Sequence, residues 1–321
     1  HYGNESKIFI SRYPLHFTRS SNEEIHEDKY MSMVDSDQKY AVSILTDDFH
    51  QKVSILNYFK LEKELDEKRF YLMDKHISLI NVLFIIITSL KIYLRWNKLY
   101  KNQFIFSSIL MTDSIKYDLN FSFHRVIRLI LLYESTKNFF SKINVDKVIY
   151  YLHEYPYGRM ITAVLKKLSI DHTAIQHGPS SHRKLVYFLS NKETDQNGNL
   201  YNSVPLPNQV LAEDIHSMNI YNYSKYKNVQ VMKKIYRLDY LSKIKIKNKS
   251  FVLIAPGLHD GNYLLSNYYS TIKKNTNEKF LIKPHPRANN LYLKKFKLNN
   301  LIVSHSRIDL LLSEAKNCCK K

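Results

Sequence analysis

Phe280-Leu281-Ile282-Lys283-Pro284-His285-Pro286-Arg287 is an apolar run that stops abruptly in a cluster of cationic and titratable side chains. Its first residues read as a buried strand. Pro284 and Pro286 fix their own φ angles, remove two backbone donors and hold the residues before them extended, so the strand ends there. Lys283, His285 and Arg287 are left at its carboxyl end. In an open α/β sheet that end is where ligands bind, and cationic groups on a stiff turn suit the phosphates of a nucleotide.

Working outward, the chain is sparing with residues that loosen or lock the backbone: 6 Gly and 8 Pro in 321 residues. Gly158, Gly178, Gly257 and Gly261, with Pro156, Pro179, Pro256, Pro284 and Pro286, fall in four short segments at strand ends or helix entrances. This is the distribution of a site assembled from loops. Tyr151-Leu152-His153-Glu154-Tyr155-Pro156-Tyr157-Gly158-Arg159 ends a strand in His-Glu before a helix. Glu154 there suits a general base, or simply a charge at the helix entrance. Thr173-Ala174-Ile175-Gln176-His177-Gly178-Pro179 sets His177 beyond a short buried strand, where an imidazole can move protons near neutral pH. Ile254-Ala255-Pro256-Gly257-Leu258-His259-Asp260-Gly261 joins a strand to a helix. Gly257 and Gly261 would offer backbone N–H groups to a phosphate, with Asp260 beside them as a ligand contact or a helix cap. Ser304-His305-Ser306-Arg307 closes a further strand, and its Ser304 and Ser306 hydroxyls would reach the same phosphates.

Strand-length apolar runs at 7–11, 40–45, 147–152, 173–176, 209–212, 228–232, 251–255, 279–283 and 301–304 alternate with helical stretches at 126–143, 159–168, 263–274 and 308–315. Such alternation predicts parallel sheets covered on both faces. The polar, Lys-rich interval 242–250 marks a boundary, giving an N-terminal α/β domain over 1–240, with a helical insertion near 51–100, and a C-terminal one over 250–321. The second holds about three strands where a nucleotide-binding domain has five or six, so it is expected to be incomplete.

A formal charge of +19 and a pI near 9.6 call for an anionic partner: nucleic acid, an anionic membrane surface or a phosphate-rich substrate. Nucleic acid is disfavoured, because no basic and aromatic repeat accompanies the charge and most aromatics sit inside apolar runs. The two cysteines, Cys318 and Cys319, are adjacent, which suits a reducing compartment. The chain opens on His1, so a leader peptide is left open. Residues 77–90 carry no charge, a run shorter than the roughly 20 residues that cross a bilayer. A buried helix is expected, and the Lys91 to Trp96 flank also suits a helix in the headgroup region. The His are scattered and no metal-ligand spacing occurs, so no metal is expected.

Taken in order, Gln176-His177-Gly178, Arg237-Leu238-Asp239, the Ile254 to Gly261 loop and Ile282-Lys283-Pro284-His285-Pro286 resemble the GT-B glycosyltransferases of bacterial surface polysaccharide synthesis. That group includes capsule Kdo transferases, bacterial sialyltransferases and CDP-glycerol glycerophosphotransferases. The resemblance implies two Rossmann-type domains facing a cleft, with the acceptor on the N-terminal side and the nucleotide-sugar donor on the C-terminal side. It carries donor contacts to Lys283 and His285 and places His177 near the reacting centre. It further implies metal-independent, inverting transfer from a CMP-linked acidic sugar to a glycan or lipid-linked glycan, without a cofactor. CDP-polyol transfer is the alternative within the group, and a basic nucleic-acid-binding or membrane-scaffolding protein is the alternative of another class. The expected location is cytoplasmic, peripheral on the inner face of the membrane.

Overall fold

The computed structural model describes residues 5–11, 17–19, 25–28, 30, 33, 39–44, 58–60, 62–63, 70–99, 105–106, 109–110, 112–178, 180–182, 184–189, 193, 203–236, 238–239, 250–257, 260–285, 288–306 and 308–319. The chain divides into two compact units, His1–Arg237 and Leu238–Lys321.

In chain order the strands of the first unit are β1 (Glu5–Ile10), β2 (Phe17–Arg19), β3 (Ile25–Asp28), β4 (Lys39–Val42), β5 (Phe70–Leu72), β6 (Ile105–Phe106), β7 (Ile109–Leu110), β8 (Val145–Tyr151), β9 (Asp171–Ile175), β10 (Gln209–Ala212) and β11 (Val229–Val231). Its helices are α1 (Leu79–Leu99), α2 (Thr112–Phe140), α3 (Pro156–Lys167) and α4 (Ile215–Tyr223). Seven strands make one sheet in the order β11-β10-β9-β8-β1-β4-β5, every pair parallel. β2 with β3 and β6 with β7 form separate antiparallel pairs. From β1 the chain builds outward through β4 and β5, then returns to the other side of β1 with β8. The order reverses between β1 and β8, and the crevice beyond the strand ends at such a reversal is the usual ligand site.

Local chemistry explains the elements that flank this reversal. β8, Val145-Asp146-Lys147-Val148-Ile149-Tyr150-Tyr151, buries its last four residues, as a central strand covered on both faces must. Tyr150 hydrogen-bonds Thr162 of α3, while Tyr151 stacks on Tyr30 with ring centroids 5.1 Å apart. α3 begins with Pro at its first position, where no N–H is needed, and buries Tyr157, Ile161, Val164 and Leu165 at helical spacing.

The second unit holds β12 (Phe251–Ile254), α5 (Gly261–Lys274), β13 (Phe280–Ile282), β14 (Leu301–Val303), α6 (Ile308–Glu314) and β15 (Ala315–Cys319), with a 3-10 helix over Asn290–Lys295. Its four parallel strands run β14-β13-β12-β15. The period of two is visible in the core: Ile254, Phe280 and Ile282 pack with Leu264, Leu265 and Ile272 of α5, whereas Phe251, Leu253 and Leu281 pack with Leu311 of α6.

Every strand expected from the sequence forms. The expectation of about three strands in the second unit is corrected to four, because Ala315–Cys319 pairs with β12. The interval expected as a helical insertion also supplies β5, the edge strand beside β4. α2 begins well before the expected residue 126. The expectation of a buried helix from 77 to 90 is overturned. α1 spans 21 residues, carries enough apolar length to cross a bilayer, and leaves most of its Leu, Ile and Phe side chains exposed.

Candidate functional site

The turn after β8 is built under constraint. Leu152 has φ 61°, a left-handed conformation unusual for a branched side chain and a form of local strain common at functional sites. A Cβ on Gly158 would collide with the Leu152 carbonyl and the His153 backbone, so only glycine lets α3 approach this turn. The turn drives His153 and Glu154 inward, where both are fully buried.

Burial in an aromatic surround pushes the Glu154 carboxyl up to about 7, against the pull of its own backbone amide, the Tyr187 hydroxyl, Lys184 and Arg159. Tyr187 donates its hydroxyl to Glu154 Oε1 at 3.2 Å. Glu154 Oε2 lies 3.4 Å from His153 Nδ1, yet neither atom has a hydrogen-bond partner among the described residues. Burial, with His177 and Arg159 nearby, pushes His153 down to about 3, so its ring stays neutral. That ring packs against Tyr221 and Tyr226, with centroids 5.3 and 5.4 Å away.

His177 follows β9 on the neighbouring strand end. Its Nδ1 lies 4.0 Å from Glu154 Oε1, and its side chain keeps 27% of its surface exposed whereas Glu154 keeps none. The ring stacks on Tyr151 and meets the edge of Tyr155. The structure therefore brings together the two catalytic candidates and separates their access: Glu154 behind, His177 at the surface. Gln176 fixes the loop. Its Nε2 donates to the Gly178 carbonyl at 2.7 Å and to Ser217 Oγ at 3.1 Å, and its Oε1 accepts from the Glu213 amide at 2.8 Å.

In the second unit the β13 ladder continues one residue past the strand, where the Lys283 amide donates to the Ile254 carbonyl. Lys283 Nζ donates to the His305 carbonyl at 3.1 Å, and partial burial lowers its pKa. Lys283 is thus laid against the Ser304 to Ser306 loop at the end of β14, where Ser304 Oγ accepts from the Ser306 amide. His285 is half-buried, and its carbonyl accepts from the Ala288 amide. Gly257 is exposed, with Asp260 Oδ1 3.2 Å from where its Cβ would stand. Asp260 occupies the N-cap of α5 without a side-chain cap bond. At Gly261 the space a side chain would need is filled by Tyr292. Arg287 lies outside the described residues.

Sequence reading missed His153, Tyr187, Tyr221 and Tyr226 as the walls around Glu154, and the anchoring role of Gln176. Only the adjacency of His153 and Glu154 hinted at the cluster; Tyr187 stands in a 3-10 turn, Leu185–Tyr187, with no periodic signal. Among the described residues no group of His, Cys, Asp or Glu is placed to hold a metal ion.

No family model and no curated protein matches the chain. Among solved structures, a UDP-N-acetylglucosamine 2-epimerase from Rickettsia bellii is 11% identical, with TM-score 0.44 over 98% of this chain and 73% of that one. The calicheamicin glycosyltransferase is 7% identical, with TM-score 0.42 over 98% and 74%. A UDP-glucosyltransferase from Polygonum tinctorium is 9% identical, with TM-score 0.40 over 94% and 71%. Likeness at these values assigns the chain to no family.

Proposed function

We propose that the chain is a GT-B-type glycosyltransferase that moves a sugar from a nucleotide donor to a hydroxyl of a glycan or lipid-linked glycan acceptor. The carrying observation is the Glu154 and His177 pair at the strand ends beside the sheet reversal. His177, the more accessible member, takes the proton of the acceptor hydroxyl. Glu154 is a positioning residue whose carboxylate orients the imidazole and offsets its positive charge. The freed acceptor oxygen attacks the anomeric carbon, and the bond from that carbon to the donor phosphate breaks with its electron pair leaving on the phosphate. Lys283 and His285, with the Ser304 and Ser306 loop, Gly257, Asp260 and Arg287, are the groups assigned to that leaving phosphate. The resemblance in sequence favours a CMP-linked acidic sugar, single displacement with inversion, and cations in place of a metal ion.

The test combines thermal shift with turnover. Selective stabilisation by CMP, among CMP, CDP, UDP and GDP, is expected through binding linkage. Lys283→Ala and His285→Ala should each weaken it. Glu154→Gln and His177→Ala should keep the shift and lower transfer by roughly a hundred-fold or more. Unchanged nucleotide response in both second-unit variants would remove the donor assignment, and undiminished transfer in both first-unit variants would remove the base.

A further inference from the structure

α1 is amphipathic the wrong way round for a helix in water. Over its first three turns the stripe it turns toward the protein holds the polar residues Asn81, Thr88 and the buried Ser89, and Ile85, Ile92 and Trp96 lie along the same stripe. Asn81 Nδ2 donates to Glu134 Oε2 at 3.3 Å and Asn81 Oδ1 accepts from Asn138 Nδ2 at 2.9 Å, tying the first turn of α1 to the last turns of α2 by polar contacts. The opposite stripe is apolar and open: Leu79 is 84% exposed, Ile80 78%, Leu83 61%, Ile86 58%, Leu90 56% and Leu94 54%. A water-facing helix places these sets the other way, and an exposed apolar face this long marks a contact with another phase or protein.

Charge selects the occupant. Within α1 there is no Asp or Glu, while Lys91, Arg95 and Lys98 are all exposed and recur at helical spacing along one edge of the apolar stripe. Tyr93, also exposed, stands at the other edge of the stripe. Apolar side chains flanked by cations on one edge and a tyrosine on the other match an anionic lipid surface, in which the hydrocarbon takes the Leu and Ile and the headgroups take the Lys and Arg. The chain-wide charge of +19 acts in the same direction. Length alone, about 1.5 Å per residue, would also let α1 cross a bilayer. Its partner rules that out: α2 carries exposed Asp113 and Arg125 and half-buried Arg128, which hydrocarbon would not accept alongside.

We propose that α1 is a monotopic anchor that lies in the surface of an anionic membrane with Leu79, Leu83, Ile86, Ile87, Leu90 and Leu94 in the acyl layer. The anchor is independent of the transferase reading, since it involves none of the site residues.

The full chain should float with vesicles of phosphatidylcholine containing phosphatidylglycerol and bind pure phosphatidylcholine far more weakly. Lys91→Gln, Arg95→Gln and Lys98→Gln together should weaken anionic binding on the order of a hundred-fold at low salt. Leu83→Asp with Ile87→Asp should abolish it while thermal stability holds, because both side chains are exposed. A parent chain that stays in solution beside anionic vesicles would overturn the proposal. So would a parent dimer that the Leu83→Asp, Ile87→Asp pair converts to a monomer without any loss of lipid affinity, which would make the face a subunit interface.

Discussion

Two buried titratable neighbours, His153 and Glu154, pull stability in opposite directions with pH. Glu154 has its folded pKa raised from 4.5 to about 7, so the folded chain holds a proton that the unfolded chain releases, and stability falls as pH rises across that window. His153 has its pKa lowered from 6.5 to about 3, so the unfolded chain takes a proton that the folded one refuses, and stability falls as pH drops below 6.5. Between pH 4.5 and 6.5 the two slopes oppose, and the parent should be nearly flat. His153→Phe keeps a ring between Tyr221 and Tyr226 and removes one slope. Thermal unfolding of this variant should therefore show stability falling steadily from pH 4.5 to 7, and a flat profile would mean that Glu154 does not hold its proton to near neutrality.

At the scale of elements, the turn between β8 and α3 depends on Gly158 more than on any side chain. Gly158→Ala puts a methyl into the Leu152 carbonyl, and backbone has to move; a loss of about 3 kcal/mol is expected by chemical denaturation, at the upper end of overpacking costs. Transfer should drop further than stability, since the same turn aims Glu154, and a variant as stable as the parent would show that α3 has room to retreat. The elements flanking this turn were legible because their patterns are local: Val148-Ile149-Tyr150-Tyr151 is a continuous apolar run and Pro156 marks the helix entrance. α4 was not, since Ile215–Tyr223 is short and only Asp214, whose side chain accepts from the Ser217 amide, announces it. β15 was hidden because Lys316 and Asn317 break its apolar run, and what makes it a strand is pairing with the distant β12. α1 was read as a helix but placed wrongly. A sequence shows which stripe is apolar, not which stripe faces the protein.

Across the molecule, strand order decides what the site can be. The sequence puts Glu154 and His177 after two different strands, with a whole helix between them, and whether those strand ends adjoin depends on β8 lying between β1 and β9. Residue identities and loop chemistry were therefore readable from the chain alone, and the aromatic enclosure was not, because Tyr187, Tyr221 and Tyr226 reach Glu154 only through tertiary packing. The second unit was legible to the same depth: Lys283 and the Ser304 to Ser306 loop were singled out separately, and the parallel pairing of β13 with β14 joins them.

The chemistry proposed for the first unit rests on Glu154 being a buried carboxyl that ionises near neutrality. The direct measurement is the difference in thermal stability between the parent and Glu154→Gln from about pH 5 to about pH 8. Gln keeps the acceptor for Tyr187 and carries no titrating proton, so the two proteins should be close at the acid end, with the variant more stable by roughly 2 to 3 kcal/mol at the alkaline end. Parallel curves across that range, with no growing advantage for the variant, would contradict it.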